Sequence, residues 1–365
     1  VMETVKPILE DVKRKGLSAA KKYAKKFDGY EGRDFKVTRK EFDIAEKNLD
    51  ADSKKALIQA AKNIEKFHSR QYPSDYIMET TPGIICSREY RPIQNVGLYI
   101  PGGTAVLPST LLMLGIPASI AGCKRIAAIS PTKDKINDAV LFASKICGIE
   151  EFYKIGGAQG IALLAYGDKS FNKVDKIFGP GNQYVTAAKA MVSIDPQGCA
   201  VDMPAGPSEV LIIADNSASP VYVAADLLSQ AEHGVDSQVI LLSTSAKLVT
   251  EVKKEITRQR KYLSRDKFIT GALLNSTLLL VGTVNEAIEL SNYYAPEHLI
   301  LNVKNADRYK SKIKNAGSVF LGNYSPESIG DYASGTNHSL PTNGYAKSFG
   351  GISVESFMKT TTFQE

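Results

Sequence analysis

Four histidines occur in the 365 residues, His68, His233, His298 and His338, and three of them stand in polar clusters. In DLLSQAEHGVDSQ, Gln230 and His233 are three residues apart, so on a helix they share a face. Metal ligands are commonly presented in this way. The same spacing also suits a polar helix end, with Gly234 stopping the helix and His233 near the negative pole of its dipole. In NYYAPEHLIL, Glu297 and His298 stand just before an apolar strand. A carboxylate beside an imidazole suits general acid–base work, worth roughly 10²–10⁴ in rate; a polar pair opening a strand is the plain alternative. In PESIGDYASGTNHSLPT, Asp331 and His338 lie on a long polar Gly/Ser loop of the kind that lines sites or simply turns in solvent. His68, in the charged segment KFHSRQY, reads as a surface residue.

The four cysteines, Cys86, Cys123, Cys147 and Cys199, form no CxxC pair. That excludes a zinc knuckle or a thioredoxin-like motif. Cys123 and Cys147 sit in apolar helical contexts and read as reduced core thiols rather than nucleophiles. Three glycine-rich segments, Pro101-Gly102-Gly103, Gly156-Gly157-Ala158-Gln159-Gly160 and Gly179-Pro180-Gly181-Asn182, stand where a strand hands over to a helix. There the carboxyl ends of an open α/β sheet collect ligands, and glycines let a ligand approach the backbone. None of the three is the GxGxxG fingerprint, so spacing alone does not name NAD.

These residues need a scaffold, and the patterning supplies an α/β one. Residues 1–70 read as helices, with apolar positions recurring at three and four in KKALIQAAKNIEKFH. Residues 84–95 alternate like edge strands. From 96 onward short apolar runs ending in Gly or Pro alternate with longer helical patterns: VGLYIPGG, RIAAISP, EFYKIGGAQG and VDKIFGPG. A second series follows in EVLIIAD, SQVILLST, TLLLVG, EHLILN and SVFLG. Two such series predict two Rossmann-like, doubly wound lobes with N-terminal helices. The MPAGPS segment at 203–208 reads as a hinge between them. The expected layout is a lobe over 99–206, and a second lobe built from 1–98 together with 207–352. The net charge of +6 is spread over helix faces such as EVKKEITRQRK, with no aromatic–basic stripe for nucleic acid. No run is long and apolar enough for a membrane helix, and no secretory signal opens the chain. A cytoplasmic protein is expected, with a plastid transit peptide upstream of Val1 as the alternative.

VGLYIPGG, IGGAQGIA, VDKIFGPGN, VDMPAGPSEVLIIAD, DLLSQAEHG, DSQVILL, APEHLI, AGSVFLG, SPES and GDYASGTNH occur in this order across nearly the whole chain. Together they closely resemble the histidinol dehydrogenase family. The resemblance implies an NAD-linked, zinc-dependent, four-electron oxidation of L-histidinol to L-histidine through histidinaldehyde, in histidine biosynthesis. It implies Gln230, His233 and Asp331 as zinc ligands, and Ser208, Gln230, His233, His298, Asp331 and His338 as substrate contacts. Tyr99, Gln159 and Asn182 match NAD-contacting positions, which makes 99–206 the NAD-binding lobe and its companion the metal and substrate lobe. Glu297 and His298 match the catalytic acid–base pair. The family is a homodimer whose active site borrows residues from the partner's C-terminal tail. That tail supplies a substrate-contacting glutamate and a fourth zinc ligand, a histidine. No histidine follows His338, so neither is assigned to a residue here, and residues 353–365 read as the start of a truncated region.

The chemistry expected from these assignments is simple. His298 takes the alcohol proton as hydride leaves, Glu297 activates water onto the aldehyde, and His298 repeats its role on the hydrate. Two other classes remain open at this point. A general aldehyde dehydrogenase would need a nucleophilic cysteine in an exposed loop. A non-enzymatic zinc- or histidine-binding protein would have no use for an intact Glu297–His298 pair.

Overall fold

The computed structural model describes residues 1–102 and 107–365, so Gly103 of the first glycine segment lies outside the described residues. The chain divides into two compact units. The first comprises 1–202, 333–339 and 352–365, and the second 203–332 and 340–351.

In the first unit, four helices precede the strands: α1 (Met2–Lys15), α2 (Leu17–Asp28), α3 (Arg39–Asn48) and α4 (Ala51–His68). The α1 helix buries Val5, Ile8, Leu9 and Val12, spaced three and four apart on one stripe. The start of α3 is a capping box, in which Thr38 and Glu41 satisfy each other's backbone amides. Strands β1 (Tyr76–Thr81) and β2 (Ile84–Pro92) pair antiparallel. Then come β3 (Asn95–Tyr99), α5 (Pro108–Ala121), β4 (Arg125–Ile129), α6 (Asp138–Ile146), β5 (Glu151–Tyr153), α7 (Gly157–Tyr166), β6 (Lys176–Phe178), α8 (Gln183–Ile194) and β7 (Ala200–Val201). The parallel sheet has the order β5-β4-β3-β6-β7. Its first strand is central; the chain winds outward on one side and returns to the other.

The second unit repeats that topology. It runs β8 (Glu209–Ala214), α9 (Pro220–Ala231), β9 (Gln238–Ser243), α10 (Ala246–Gln259), α11 (Asp266–Leu274), β10 (Thr277–Leu280), α12 (Val284–Tyr294), β11 (His298–Asn302), β12 (Ser318–Leu321) and the short α13 (Glu327–Tyr332). Its parallel sheet has the order β10-β9-β8-β11-β12. All six residues of β8 are buried, as a central strand covered on both faces requires. Each Val, Leu or Ile so buried contributes roughly 1.5–3 kcal/mol. The two parallel sheets are separate, as the two series of strands predict.

The expected boundaries need correction. The chain passes between units at Asp202/Met203, at the start of MPAGPS, rather than at 206/207. Residues 1–98 belong to the first unit and not to the second. The apolar stripes of α1 and α2 account for this: Val5, Ile8, Leu9, Val12, Ala19, Ala20 and Ala24 share one core with Ile161, Leu164, Val185 and Val192 of α7 and α8. Residues 333–339 also return to the first unit, where the Asn337 amide donates to the Met113 carbonyl at 2.6 Å. Residues 353–365 are integral to that unit as well. There β13 (Met358–Gln364) pairs with β2, and Phe357, fully buried, stacks on Phe178 with centroids 3.9 Å apart. His68, expected at the surface, is fully buried at the end of α4, with Nδ1 against Gln71 Oε1 at 2.6 Å.

Candidate active site

In the second unit the Glu297–His298 pair stands at the amino edge of the sheet, where β11 begins beside β8. The main chain of Glu209, the first residue of β8 and the neighbour of Ser208, holds both members. Its N–H donates to Glu297 Oε2 at 2.9 Å, and its carbonyl accepts from His298 Nδ1 at 3.2 Å. With Nδ1 carrying the proton, Nε2 is the nitrogen free to exchange one. Nε2 lies 3.5 Å from Asp331 Oδ1, and Nδ1 lies 3.6 Å from Glu297 Oε2. Glu209 is fixed in turn, because its Oε1 accepts from the Asn343 N–H at 2.9 Å.

Helix α9 runs back across the sheet, so its C-terminal turn comes to the same amino edge. Gln230 is its penultimate residue, and His233 follows just past its end, its N–H donating to the Gln230 carbonyl at 3.2 Å. Asp331 is on a helix and not on a loop. Glu327 and Asp331 are four apart on α13, hence on one face, and α13 packs along α9. The Ser229 hydroxyl donates to Glu327 Oε2 at 2.8 Å. One ligand atom each from His233, Glu327 and Asp331 lies within 4.8 Å of the others. The structure therefore brings His233 and Asp331 together, with Glu327 as the third member of the group. Glu327 was missed; its only signal is the i, i+4 spacing to Asp331 in SPESIGD, which is invisible while the segment reads as a loop.

This centre is buried and electrostatically strained. Glu297, His298, Gln230, Glu327 and Asp331 are all less than one-tenth exposed. Burial pushes the carboxyl groups of Glu297 and Glu327 up to about 8 and that of Asp226 up to about 7. Burial also works against a charged His298, but the negative charge of Glu297, the Asp331 contact and Glu327 outweigh it and push His298 up to about 10. Among the described residues, Gln230 Oε1, Gln230 Nε2 and Glu327 Oε1 are buried without a hydrogen-bond partner. Each such atom costs roughly 1–3 kcal/mol. A cation among these donors would offset that cost and the carboxylate repulsion together, so the donor set fits a metal.

The first unit carries its candidates at the carboxyl edge of its own sheet. Tyr99, the last residue of β3, is buried, and its hydroxyl accepts the Gly157 N–H at 3.3 Å. Gln159, 1% exposed, donates to Asp28 Oδ2 at 2.9 Å. Asn182 caps α8, its Oδ1 accepting from the N–H groups of Tyr184 and Val185. A cavity of about 560 Å³ opens at the ends of β3 and β4, lined by Asp28, Gly102, Ser130, Thr132, Lys133 and Lys135 among others. That volume suits part of a nucleotide. The glycines answer to packing as well: a Cβ on Gly102 would fall 2.5 Å from the Pro131 carbonyl, and one on Gly179, at φ 117°, would fall 2.2 Å from the Tyr99 carbonyl. His338 also belongs to this unit, with Nε2 3.3 Å from the hydroxyls of both Ser109 and Thr110.

A family model described as histidinol dehydrogenase matches residues 1–365. The chain belongs to the histidinol dehydrogenase family. It is 50% identical to a histidinol dehydrogenase of Vibrio parahaemolyticus over 365 residues, covering all of this chain and 84% of that one. It is 52% identical to a Bacteroides fragilis histidinol dehydrogenase over 367 residues, covering 100% of this chain and 85% of the relative. The crystal structure of histidinol dehydrogenase from Elizabethkingia anophelis superposes with a TM-score of 0.95 at 50% identity, over 100% of this chain and 84% of that one. The protein is thus an oxidoreductase of an NAD-dependent family, acting in histidine biosynthesis. Succinate-semialdehyde dehydrogenase from Burkholderia pseudomallei, at TM-score 0.56, 12% identity and coverage of 90% and 84%, shares the fold alone. Burial pushes the thiols of Cys123, Cys147 and Cys199 up to about 12, which disfavours each of these three as a thiolate nucleophile.

Proposed function

We propose that this histidinol dehydrogenase carries L-histidinol to L-histidine in two NAD⁺-linked steps, with zinc held by Gln230, His233 and Asp331. The observation that carries the reading is the convergence of His233 with the buried carboxylates Glu327 and Asp331, beside an acid–base pair held by the main chain of Glu209, with the buried Gln230 amide unpaired on the helix turn before His233. Glu327 brings a further donor within reach of His233 and Asp331. Zinc at these donors would supply Lewis acidity and an anchor for the nitrogens of the substrate. NAD⁺ is the hydride acceptor, and Tyr99, Gln159 and Asn182 stand at the edge of the sheet that would receive it.

The protein's own residues then have defined tasks. The Glu209 carbonyl fixes the His298 tautomer, so Nε2 accepts the hydroxyl proton as hydride leaves carbon. A metal held at Asp331 would offset one of the negative charges that favour a protonated imidazole, and so would favour the free base of His298. Glu297, raised by burial, is poised to take a proton from water as it adds to histidinaldehyde. The hydrate offers a second hydroxyl, and His298 accepts its proton in turn. Ser208, one residue before Glu209, is the proposed substrate contact next to this pair.

The test is NADH formation from L-histidinol, before and after chelation. Chelation should abolish the rate and added zinc should restore it. Asp331→Asn should lose stoichiometric zinc by elemental analysis while remaining folded. A rate indifferent to chelator in a demonstrably metal-free sample would exclude the metal assignment.

A further inference from the structure

The carboxylate that lines the 560 Å³ cavity of the first unit has no part in the acid–base chemistry. In a doubly wound sheet an acidic residue at the end of the second strand usually binds the hydroxyls of the adenosine ribose. Here the second strand is β4, and the four residues that follow it, Ser130-Pro131-Thr132-Lys133, carry no acid; Asp134, the fifth, is exposed and does not line the cavity. The carboxylate comes instead from Asp28, the last residue of α2, which the packing of α1 and α2 on α7 and α8 brings to this edge. We propose that Asp28 binds the hydroxyls of the cofactor's adenosine ribose and so sets the preference for NAD⁺ over its 2′-phosphorylated form. This rests on the cofactor reading of the first unit.

The geometry is that of a positioned acceptor. Gln159, almost wholly buried, donates to Oδ2 at 2.9 Å, and a carboxylate so engaged keeps lone pairs for two more donors. Gln159 is itself confined, since a Cβ on Gly157 would lie 2.8 Å from its Oε1. Burial pushes Asp28 up to about 6, which the Gln159 bond only partly opposes, so the ionised group gains from further hydroxyl donors. Lys133 and Lys135 also line the cavity. The stem of Lys133 runs beside the residue after Asp28, 3.6 Å from where a Cβ of Gly29 would be. A 2′-phosphate entering here meets two cations but must also approach the carboxylate. Asp28 therefore decides between the two cofactors, and the lysines become an attraction for the phosphorylated one once it is neutralised.

The experiment uses calorimetric binding of ADP-ribose and of its 2′-phosphorylated analogue, alongside NAD⁺- and NADP⁺-dependent rates. The wild-type protein should prefer ADP-ribose. Asp28→Asn should weaken ADP-ribose by roughly ten- to a hundredfold and strengthen the phosphorylated analogue, inverting or erasing the preference. Asp28→Ser should do the same, and Lys133→Met added to either variant should remove the gained affinity. Melting curves confirm that the variants are folded. If the wild type binds ADP-ribose and both Asp28 variants keep its preference unchanged, the assignment of Asp28 is wrong. If the folded wild type binds neither nucleotide, the cofactor reading itself fails and takes this inference with it.

Discussion

Glu297 and His298 share one anchoring residue, Glu209, but are assigned different protons, and that difference can be measured. Both hydride steps need a hydroxyl proton removed, whereas only the second half needs water added to an aldehyde. Glu297→Gln should therefore preserve oxidation of histidinol better than oxidation of histidinaldehyde. His298→Asn should depress both, by roughly 10²–10⁴. Single-turnover NADH formation started separately from alcohol and from aldehyde reads the two halves; equal losses in the Glu297 variant would point to one coupled unit. These residues were legible in the sequence because polar side chains adjoining an apolar strand are conspicuous. Glu209 was not, because its main chain does the positioning, and a peptide group leaves no mark on residue type. Glu327 and Asp28 escaped for a related reason: each acts through a helix face or helix end whose neighbours lie far away in sequence. His68 misled because its charged surroundings in KFHSRQY suggested exposure, although it falls four residues after Ile64 on the buried stripe of the helix.

At the scale of elements, the α9 and α13 helices account for the metal-ligand cluster. The C-terminal turn of α9 carries Gln230 toward His233, while α13 presents Glu327 and Asp331 on one face. The strand–helix alternation announced α9, but α13 is a six-residue helix in a Gly/Ser-rich stretch, too short for periodicity to reveal. The terminal segment teaches a similar lesson. Residues 353–365 alternate weakly and read as a region leading elsewhere, yet they complete the antiparallel sheet and place Phe357 against Phe178. Phe357→Ala should then destabilise the first unit by about 3–5 kcal/mol, as for other buried aromatic truncations. Chemical denaturation followed by a probe in that unit checks this. A change below about 1 kcal/mol would mean the segment is only loosely attached.

On the scale of the whole molecule, two lobes of identical winding were legible because each prints its own series of short apolar runs and glycine turns. Which lobe receives the N-terminal helices was not legible. An amphipathic stripe shows that a helix is buried, not against what, and only the packing of α1 and α2 on α7 and α8 decides it. The division of labour proposed for the lobes, cofactor at the carboxyl edge of one sheet and metal at the amino edge of the other, leads to a single overall reaction of four electrons. The most direct measurement is therefore the stoichiometry of the complete reaction. A limiting amount of L-histidinol is run to completion with excess NAD⁺ and zinc, and NADH and histidine are quantified together. The account predicts about two NADH and one histidine for each histidinol consumed, from the two successive hydride transfers. One NADH with accumulation of the aldehyde, or oxidation without histidine, would contradict it.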